Sequence, residues 1–318
     1  MNRVCFGCGV KLQCNDELSP GFIPSNKIDS ANYCKRCFRL THYGSLSDKE
    51  TEKSTENIID NVNKDSIFKM YIVDLLNIND DTMEIFKSIK GNKLLLISKL
   101  DLLSKSFNKD KIIKRIKSIY DIKCDVKFVS TVNNYGVNSL INYLYYKHIN
   151  KCYILGPTNS GKSTLINKLI SDNNSKVNNL TVSNKRNTTL DFIRIKINDD
   201  LTIIDSPGFL VSDYGKISKY KNIIKQITYN MKKDEVLFVD KFYIKFSEPT
   251  SVTFYIIDKV NIKKYYKDIK FDYEVSVNSN SDICINGFGI INVKNSNDLS
   301  ICGLDKNLIS IRESIFGD

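Results

Sequence analysis

Histidine is nearly missing from this chain, with two among 318 residues. No apolar run approaches the roughly 18 residues that a membrane-spanning helix requires. The N-terminal stretch MNRVCFGCGV has no apolar core of a secretory leader, so a cytoplasmic location and no membrane partner are expected. Nine cysteines without such a leader argue against a disulfide framework. Cys14, Cys124, Cys152, Cys284 and Cys302 stand alone, and none has a histidine placed nearby in sequence to activate it. They read as small buried hydrophobes. Acidic residues are outnumbered, 36 against 47 Lys and Arg, for a net charge of +11. The excess is spread, at +3, +6 and +2 over residues 1–44, 45–210 and 211–318. A basic balance favours an anionic partner such as RNA, although a Lys-, Asn- and Ile-rich composition gives the same excess with no partner at all. With 42% hydrophobic and 26% charged residues the chain is of ordinary globular type. Its length suggests two or three domains with sizeable cores.

Four cysteines form two tight pairs, CFGC (Cys5, Cys8) and CKRC (Cys34, Cys37), with 25 residues between them. A C-x2-C knuckle presents two thiolates to one metal, and two knuckles complete the tetrahedron that zinc prefers. The spacing is longer than in short zinc ribbons, but turn residues Ser19, Pro20, Gly21 and Pro24 suit a loop that absorbs it. Four thiolates leave no open position, so the expected Zn²⁺ is structural, and His42 falls outside the metal. Residues 1–44 are expected to be this finger. Lys35, Arg36, Arg39, Phe38 and Tyr43 combine basic and aromatic groups suited to looped RNA; equally, Phe38, Leu40 and Tyr43 suit the small core of a finger. The polar GSLSDKETEKSTEN that follows reads as a linker or a solvated helix start, with a linker assigned to residues 45–66.

From Ile67 the pattern changes. MYIVDLL (70–76), KLLLISKLD (93–101), VKFVSTV (126–132) and KCYILG (151–156) read as strands. Between them lie amphipathic helices, 108–120 with Ile112, Ile113, Ile116 and Ile119 on one face, and 137–148 with Leu140, Ile141, Leu144 and Tyr145. Such alternation predicts an α/β fold with a mostly parallel sheet covered on both faces.

Chemistry collects at the strand ends of such sheets. GPTNSGKST (Gly156–Thr164) fits the phosphate-binding loop, with a strand before it and a helix after it. Its glycines let the backbone wrap a phosphate chain, and the N–H groups of Asn159, Ser160, Gly161, Lys162, Ser163 and Thr164 are expected to face it. Lys162 reaches the outer phosphates, and the Ser163 hydroxyl suits Mg²⁺. Downstream, Thr189 in RNTTLD is expected to meet Mg²⁺ and the terminal phosphate. In LTIIDSPG, Asp205 is the Mg²⁺-associated carboxylate and the Gly208 N–H a phosphate donor. Upstream, SKLD (Ser98, Lys99, Asp101) resembles the NKxD element of GTP-binding proteins, in which a carboxylate accepts the N1–H and 2-amino hydrogens of guanine. Ser130 and Thr131 in VST resemble the loop that donates to guanine O6. Ser98 in place of Asn, and Thr131 in place of Ala, are departures from those elements.

The order is unusual: guanine elements first, phosphate elements after. Joining the termini of an ordinary GTPase and cutting after DxPG gives it, which the surface proximity of domain termini permits. With the finger, CFGCGVKLQ, YCKRCFRLTHY and the C-terminal GFGIINV, the chain resembles the YqeH family of circularly permuted GTPases over nearly its whole length. The resemblance implies a P-loop G domain of permuted order over 67–212, and a mainly β domain over 213–318 that binds RNA or a partner. It implies GTP and GDP, Mg²⁺ and Zn²⁺ as ligands, GTP hydrolysis, and a role in assembling the small ribosomal subunit or binding its rRNA, as a monomer. Phe209 follows Gly208, where Ras-like proteins carry a water-orienting Gln. Related GTPases with an apolar residue there use K⁺, held in part by a P-loop Asn, which Asn159 matches; slow, K⁺-stimulated hydrolysis is expected. An alternative is a nucleotide-gated RNA-binding scaffold with negligible turnover. An ATP-using P-loop enzyme is disfavoured by Asp101 and the DSPG spacing. In the last block, 250–258 and 283–293 read as β and 214–227 as more helix-like. Because DSPG leads directly into that block, nucleotide state is expected to move it.

Overall fold

The computed structural model describes residues 3–5, 11–15, 21–28, 31–35, 55–173, 192–209, 224–256 and 260–316. In chain order, α1 (Thr55–Asn63), β1 (Phe68–Asp74), α2 (Asp80–Ser88), β2 (Lys93–Ser98), α3 (Lys109–Ile119), β3 (Asp125–Phe128), α4 (Val137–Tyr146), β4 (Lys151–Leu155), α5 (Lys162–Asn173), β5 (Ile193–Lys196) and β6 (Thr202–Asp205) form an α/β succession. The strands make one sheet of order β3-β2-β1-β4-β6-β5. The pairs β1–β4, β4–β6 and β2–β3 are parallel, and β5 runs antiparallel to β6. The interior strands β1 and β2 are short, mostly apolar runs buried at all but their first residue, as a sheet covered on both faces demands. Among the described residues, no helix is long and apolar enough to cross a membrane.

Local chemistry trims the expected elements. MYIVDLL does not stay extended to Leu76. The Asp74 carboxylate accepts the N–H groups of Leu76 and Asn77 and turns Leu75–Asn77 into a 3-10 turn. KLLLISKLD leaves the strand at Lys99, whose φ of 59° is left-handed, and continues as a 3-10 turn over Leu100–Leu102. In α3 the Asn108 side chain caps the Lys111 N–H, while Ile112 and Ile116 are buried. In α4 Val137, Leu140 and Leu144 are buried, but Tyr145 is exposed. Thr55–Asn63, inside the stretch read as a linker, is a helix that buries Ile58, Ile59 and Val62.

The chain divides into two compact units. One comprises Met1–Ile72, Ile89–Lys93 and Val137–Phe209; the other comprises Val73–Ser88, Leu94–Gly136 and Leu210–Asp318. Among the described residues, the C-terminal part of the second is all β apart from short turns. Its strands are β7 (Lys225–Met231), β8 (Val236–Val239), β9 (Phe242–Phe246), β10 (Thr250–Ile256), β11 (Ile262–Tyr265), β12 (Tyr273–Val277), β13 (Ser281–Ile285), β14 (Gly289–Val293), β15 (Asn297–Cys302) and β16 (Ile309–Glu313). They form two five-stranded antiparallel sheets, β16-β13-β14-β10-β7 and β11-β8-β9-β15-β12. Phe242, Phe246 and Leu299 of one and Phe254, Ile283 and Ile291 of the other share a single apolar core, as in a sandwich of alternating strands. The helix-like reading of 214–227 fails at its end, because Lys225–Ile227 open β7 beside β10; residues 214–223 lie outside the described ones. Residues 283–293 are two strands joined by a tight hairpin, with Gly287 at φ 76°.

Candidate functional site

The residues read from the sequence as the phosphate loop lie in the first unit. β4 ends at Leu155, and the chain turns at Gly156, where a Cβ would lie 2.2 Å from the Ile72 carbonyl oxygen. No other residue fits there without moving backbone. Asn159 and Gly161 are left-handed, at φ 64° and 89°. A backbone of this kind turns successive N–H groups toward one centre and suits an anion. Helix α5 then opens at Lys162, with the Leu165 N–H bonded to the Gly161 carbonyl, so the loop meets a helix N-terminus. Ser163 and Thr164 are exposed on its first turn, and Ser160 is buried.

Lys162 pairs with the Asp205 carboxylate and donates 2.6 Å to the Ser206 carbonyl. The loop ammonium and the carboxylate at the end of β6 thus meet at one place. Gly208 passes so close to the loop that a Cβ would lie 3.1 Å from the Thr158 methyl. Phe209 ties the two segments: its N–H donates to the Gly156 carbonyl at 3.2 Å, and its carbonyl accepts from the Thr158 N–H at 2.8 Å. Its ring is buried and stacks on Tyr71, with centroids 6.3 Å apart. The donor set suits a phosphate chain with a hard cation: an exposed hydroxyl at Ser163, a carboxylate at Asp205 and backbone N–H groups. Thr189 lies outside the described residues.

The residues read from the sequence as guanine loops lie in the second unit. Ser98 ends β2, buried, with its hydroxyl 3.4 Å from the Val73 carbonyl. Asp101 sits in the next turn, half-buried, and accepts a 2.5 Å hydrogen bond from the Ser130 hydroxyl. The same Ser130 oxygen accepts the Val132 N–H at 3.3 Å. The Leu100 N–H donates to the Val129 carbonyl at 3.4 Å, and Thr131 is half-buried beside this pairing. Gly136 closes the second loop under the Phe128 carbonyl, 2.2 Å from where a Cβ would stand. Asp101 and Ser130 are thus joined directly through their side chains, with Ser98 and Lys99 just ahead of Asp101 in the chain.

Cys5 and Cys34 are buried together, and the Cys34 N–H donates to the Cys5 sulfur at 3.1 Å. Cys8 and Cys37 lie outside the described residues. Among the described residues, no three His, Cys, Asp or Glu side chains gather as a metal site. The Cys5–Cys34 pair fits half of a thiolate site, since an N–H bonded to sulfur stabilises a thiolate. Lys35 lies over the Phe22 ring at 5.7 Å.

The RsgA GTPase family model matches residues 46–215, just over half of the chain. The chain belongs to the RsgA GTPase family. With its base elements ahead of the phosphate loop, this RsgA-type GTPase domain is of the circularly permuted kind. The Bacillus subtilis protein YqeH is 32% identical over 216 residues, 65% of this chain and 59% of YqeH. Nitric oxide-associated protein 1 of Homo sapiens is 24% identical over 254 residues, 61% of this chain and 36% of that protein. The chain thus spans less than two thirds of the length of either relative. Among solved structures, GNP-bound YlqF from T. maritima overlaps 52% of this chain and 61% of its own, at 19% identity and a TM-score of 0.32, too loose a superposition to transfer residues.

Sequence reasoning missed Asp74 in this RsgA-type domain. It is 4% exposed, and its carboxylate accepts from Lys99 Nζ at 3.3 Å and from Asn77 Nδ2 at 2.6 Å. An acidic residue closing a buried strand, MYIVD, was the available signal.

Proposed function

We propose that the chain is a GTP-binding and GTP-hydrolysing assembly factor for the small ribosomal subunit, engaging its rRNA or precursor in a nucleotide-dependent way. One observation carries the nucleotide half of this reading: Asp101 is preset by Ser130 at the end of a buried strand, while a left-handed loop and Lys162 form a phosphate cradle. A carboxylate held as an acceptor favours guanine, which offers two adjacent N–H donors, over adenine, which does not. Asn159 to Thr164 and Gly208 would hold the phosphates, and Ser98, Lys99, Asp101, Ser130 and Thr131 the base. Ser163, Thr189 and Asp205 would hold Mg²⁺, which supplies charge neutralisation at the transferred phosphoryl group. Lys162 would then leave Asp205 for the phosphates, so nucleotide binding exchanges one ion pair for another. Asn159, exposed and left-handed, would contribute to a K⁺ site. Cys5, Cys8, Cys34 and Cys37 would hold Zn²⁺ in a finger over residues 1–44. The G domain would span 67–212, and the β domain from 213 would carry RNA or partner binding. The GTPase family supports the nucleotide half of this reading, and the net charge of +11 suits an anionic partner such as RNA; the proposal takes the protein as a cytoplasmic monomer. Titration with GTP and ATP tests it: GTP is bound at least tenfold more tightly, and equal affinities would contradict it.

A second reading rests on Phe209. Buried against Tyr71, it presents no group that orients water, which suits a nucleotide-gated scaffold with negligible turnover. Turnover measured with purified small subunits separates the two, because the scaffold stays idle.

A further inference from the structure

The second unit contains a line of hydrogen bonds joining residues more than 200 positions apart. The Gly287 N–H, at the tip of the β13–β14 hairpin, donates to Asn77 Oδ1 at 3.1 Å. Asn77 Nδ2 donates to Asp74 Oδ2 at 2.6 Å, and Asp74 accepts Lys99 Nζ at 3.3 Å on the same oxygen. Asp74 Oδ1 meanwhile accepts the Leu76 and Asn77 N–H groups at 3.1 and 3.2 Å. Beside this line, Asn286 pairs with Asn79 and donates to Asp81 Oδ2 at 3.3 Å. Asn79, Asn286 and Asp74 are each at most 4% exposed. Buried amides and carboxylates in such a set fix one arrangement, because any shift leaves a donor or acceptor without its partner.

We propose that Asn77 is a positioning residue for guanine: its amide couples the β13–β14 hairpin to the Asp74–Lys99 pair and so sets the SKLD turn. The inference rests on the guanine reading of Asp101 given above. Lys99 is left-handed, a backbone state unfavourable for a non-glycine residue. Its ammonium, tethered to a buried carboxylate, helps hold that state. Asn77 fills both remaining roles at once. It donates a hydrogen bond to Asp74 Oδ2 and accepts the hairpin N–H, and an alanine there does neither. A partner that pulls the hairpin would then be felt at the base loop.

The test uses the full chain and fluorescent GDP, with inosine diphosphate as the comparison. Asn77→Ala is expected to weaken GDP about tenfold, as loss of one charge-assisted hydrogen bond would, raising KM for GTP while kcat at saturation stays unchanged. Inosine diphosphate, which lacks the 2-amino group, loses less, so the preference for GDP narrows. Asn286→Ala, which leaves every residue of the base loop in place, is expected to move GDP affinity in the same direction by a smaller factor. Asn77→Gln keeps both polar functions and is expected to restore part of the loss. If wild type binds GDP and both alanine variants bind it equally well, the positioning role is overturned while the guanine reading stands. If wild type fails to bind GDP, both fall. If Asn77→Ala does not fold, Asn286→Ala decides alone by the same criterion.

Discussion

The Ser130 hydroxyl donates a 2.5 Å hydrogen bond to the Asp101 carboxylate. That bond joins two loops 29 residues apart and turns one carboxylate oxygen before any base arrives. Replacing Ser130 by Ala removes the restraint and is expected to weaken GDP binding roughly tenfold, the scale of one charge-assisted hydrogen bond. Asp101→Asn exchanges an acceptor for a donor, so preference is expected to shift from guanine toward xanthine, which carries a carbonyl where guanine has its amino group. Equilibrium titration with GDP and xanthosine diphosphate reads both; unchanged preference in Asp101→Asn would remove Asp101 from the base site.

Phe209, which directly follows Gly208, is part of the core. Phe209→Gln is therefore expected to lower turnover or leave it unchanged, and to destabilise by about 1–3 kcal/mol through burial of an amide beside Tyr71. Hydrolysis in wild type is expected to run faster in KCl than in NaCl, and Asn159→Ala to lose that difference. Rates measured in both salts decide: equal wild-type rates remove the K⁺ site.

The paired cysteines predict one zinc per chain. Metal analysis of purified protein is expected to find it, and Cys34→Ser to lose it while GDP affinity is retained. Stoichiometric zinc in a quadruple variant lacking Cys5, Cys8, Cys34 and Cys37 would contradict the finger.

Arg312 and Asp282 form an ion pair at 3.3 Å with side chains 1% and 0% exposed, and Arg312 Nε donates to the Cys284 sulfur at 3.0 Å. Arg312→Ala leaves a buried carboxylate without its counter-charge, at a cost of about 3–5 kcal/mol, read by urea unfolding. Burial pushes the Cys284 thiol up to about 11, which the Arg312 guanidinium only partly offsets. The unfolded chain releases that proton first, so the contribution of this thiol is complete below its ordinary value of 9.0 and is lost as pH rises toward 11. In Cys284→Ala that part of the alkaline loss is expected to disappear.

What was legible in the sequence is what depends on near neighbours. The phosphate loop declares itself because glycines, a lysine and a hydroxyl must follow a strand within a few residues. SKLD and VST were legible as strand ends, though the 2.5 Å bond between their side chains was not. Asp74 was quoted within an apolar run and given no role, because its caps and its pairing with Lys99 depend on a turn that hydrophobic pattern does not encode. Asn77 and Asn286 were invisible for a stronger reason: their partners lie across the fold, about 210 residues away. The sandwich was only half legible, since β7 begins in a lysine-rich stretch that alternates weakly, and its pairing with β10 decides its form. Cys8, Cys37 and Thr189 remain expectations from the sequence.

Co-sedimentation with purified small ribosomal subunits, in the apo state, with GDP and with a non-hydrolysable GTP analogue, tests the central claim most directly. The account predicts that the chain pellets with the subunits in the analogue state and is released with GDP. Equal pelleting in all three states, or none in any, would contradict it.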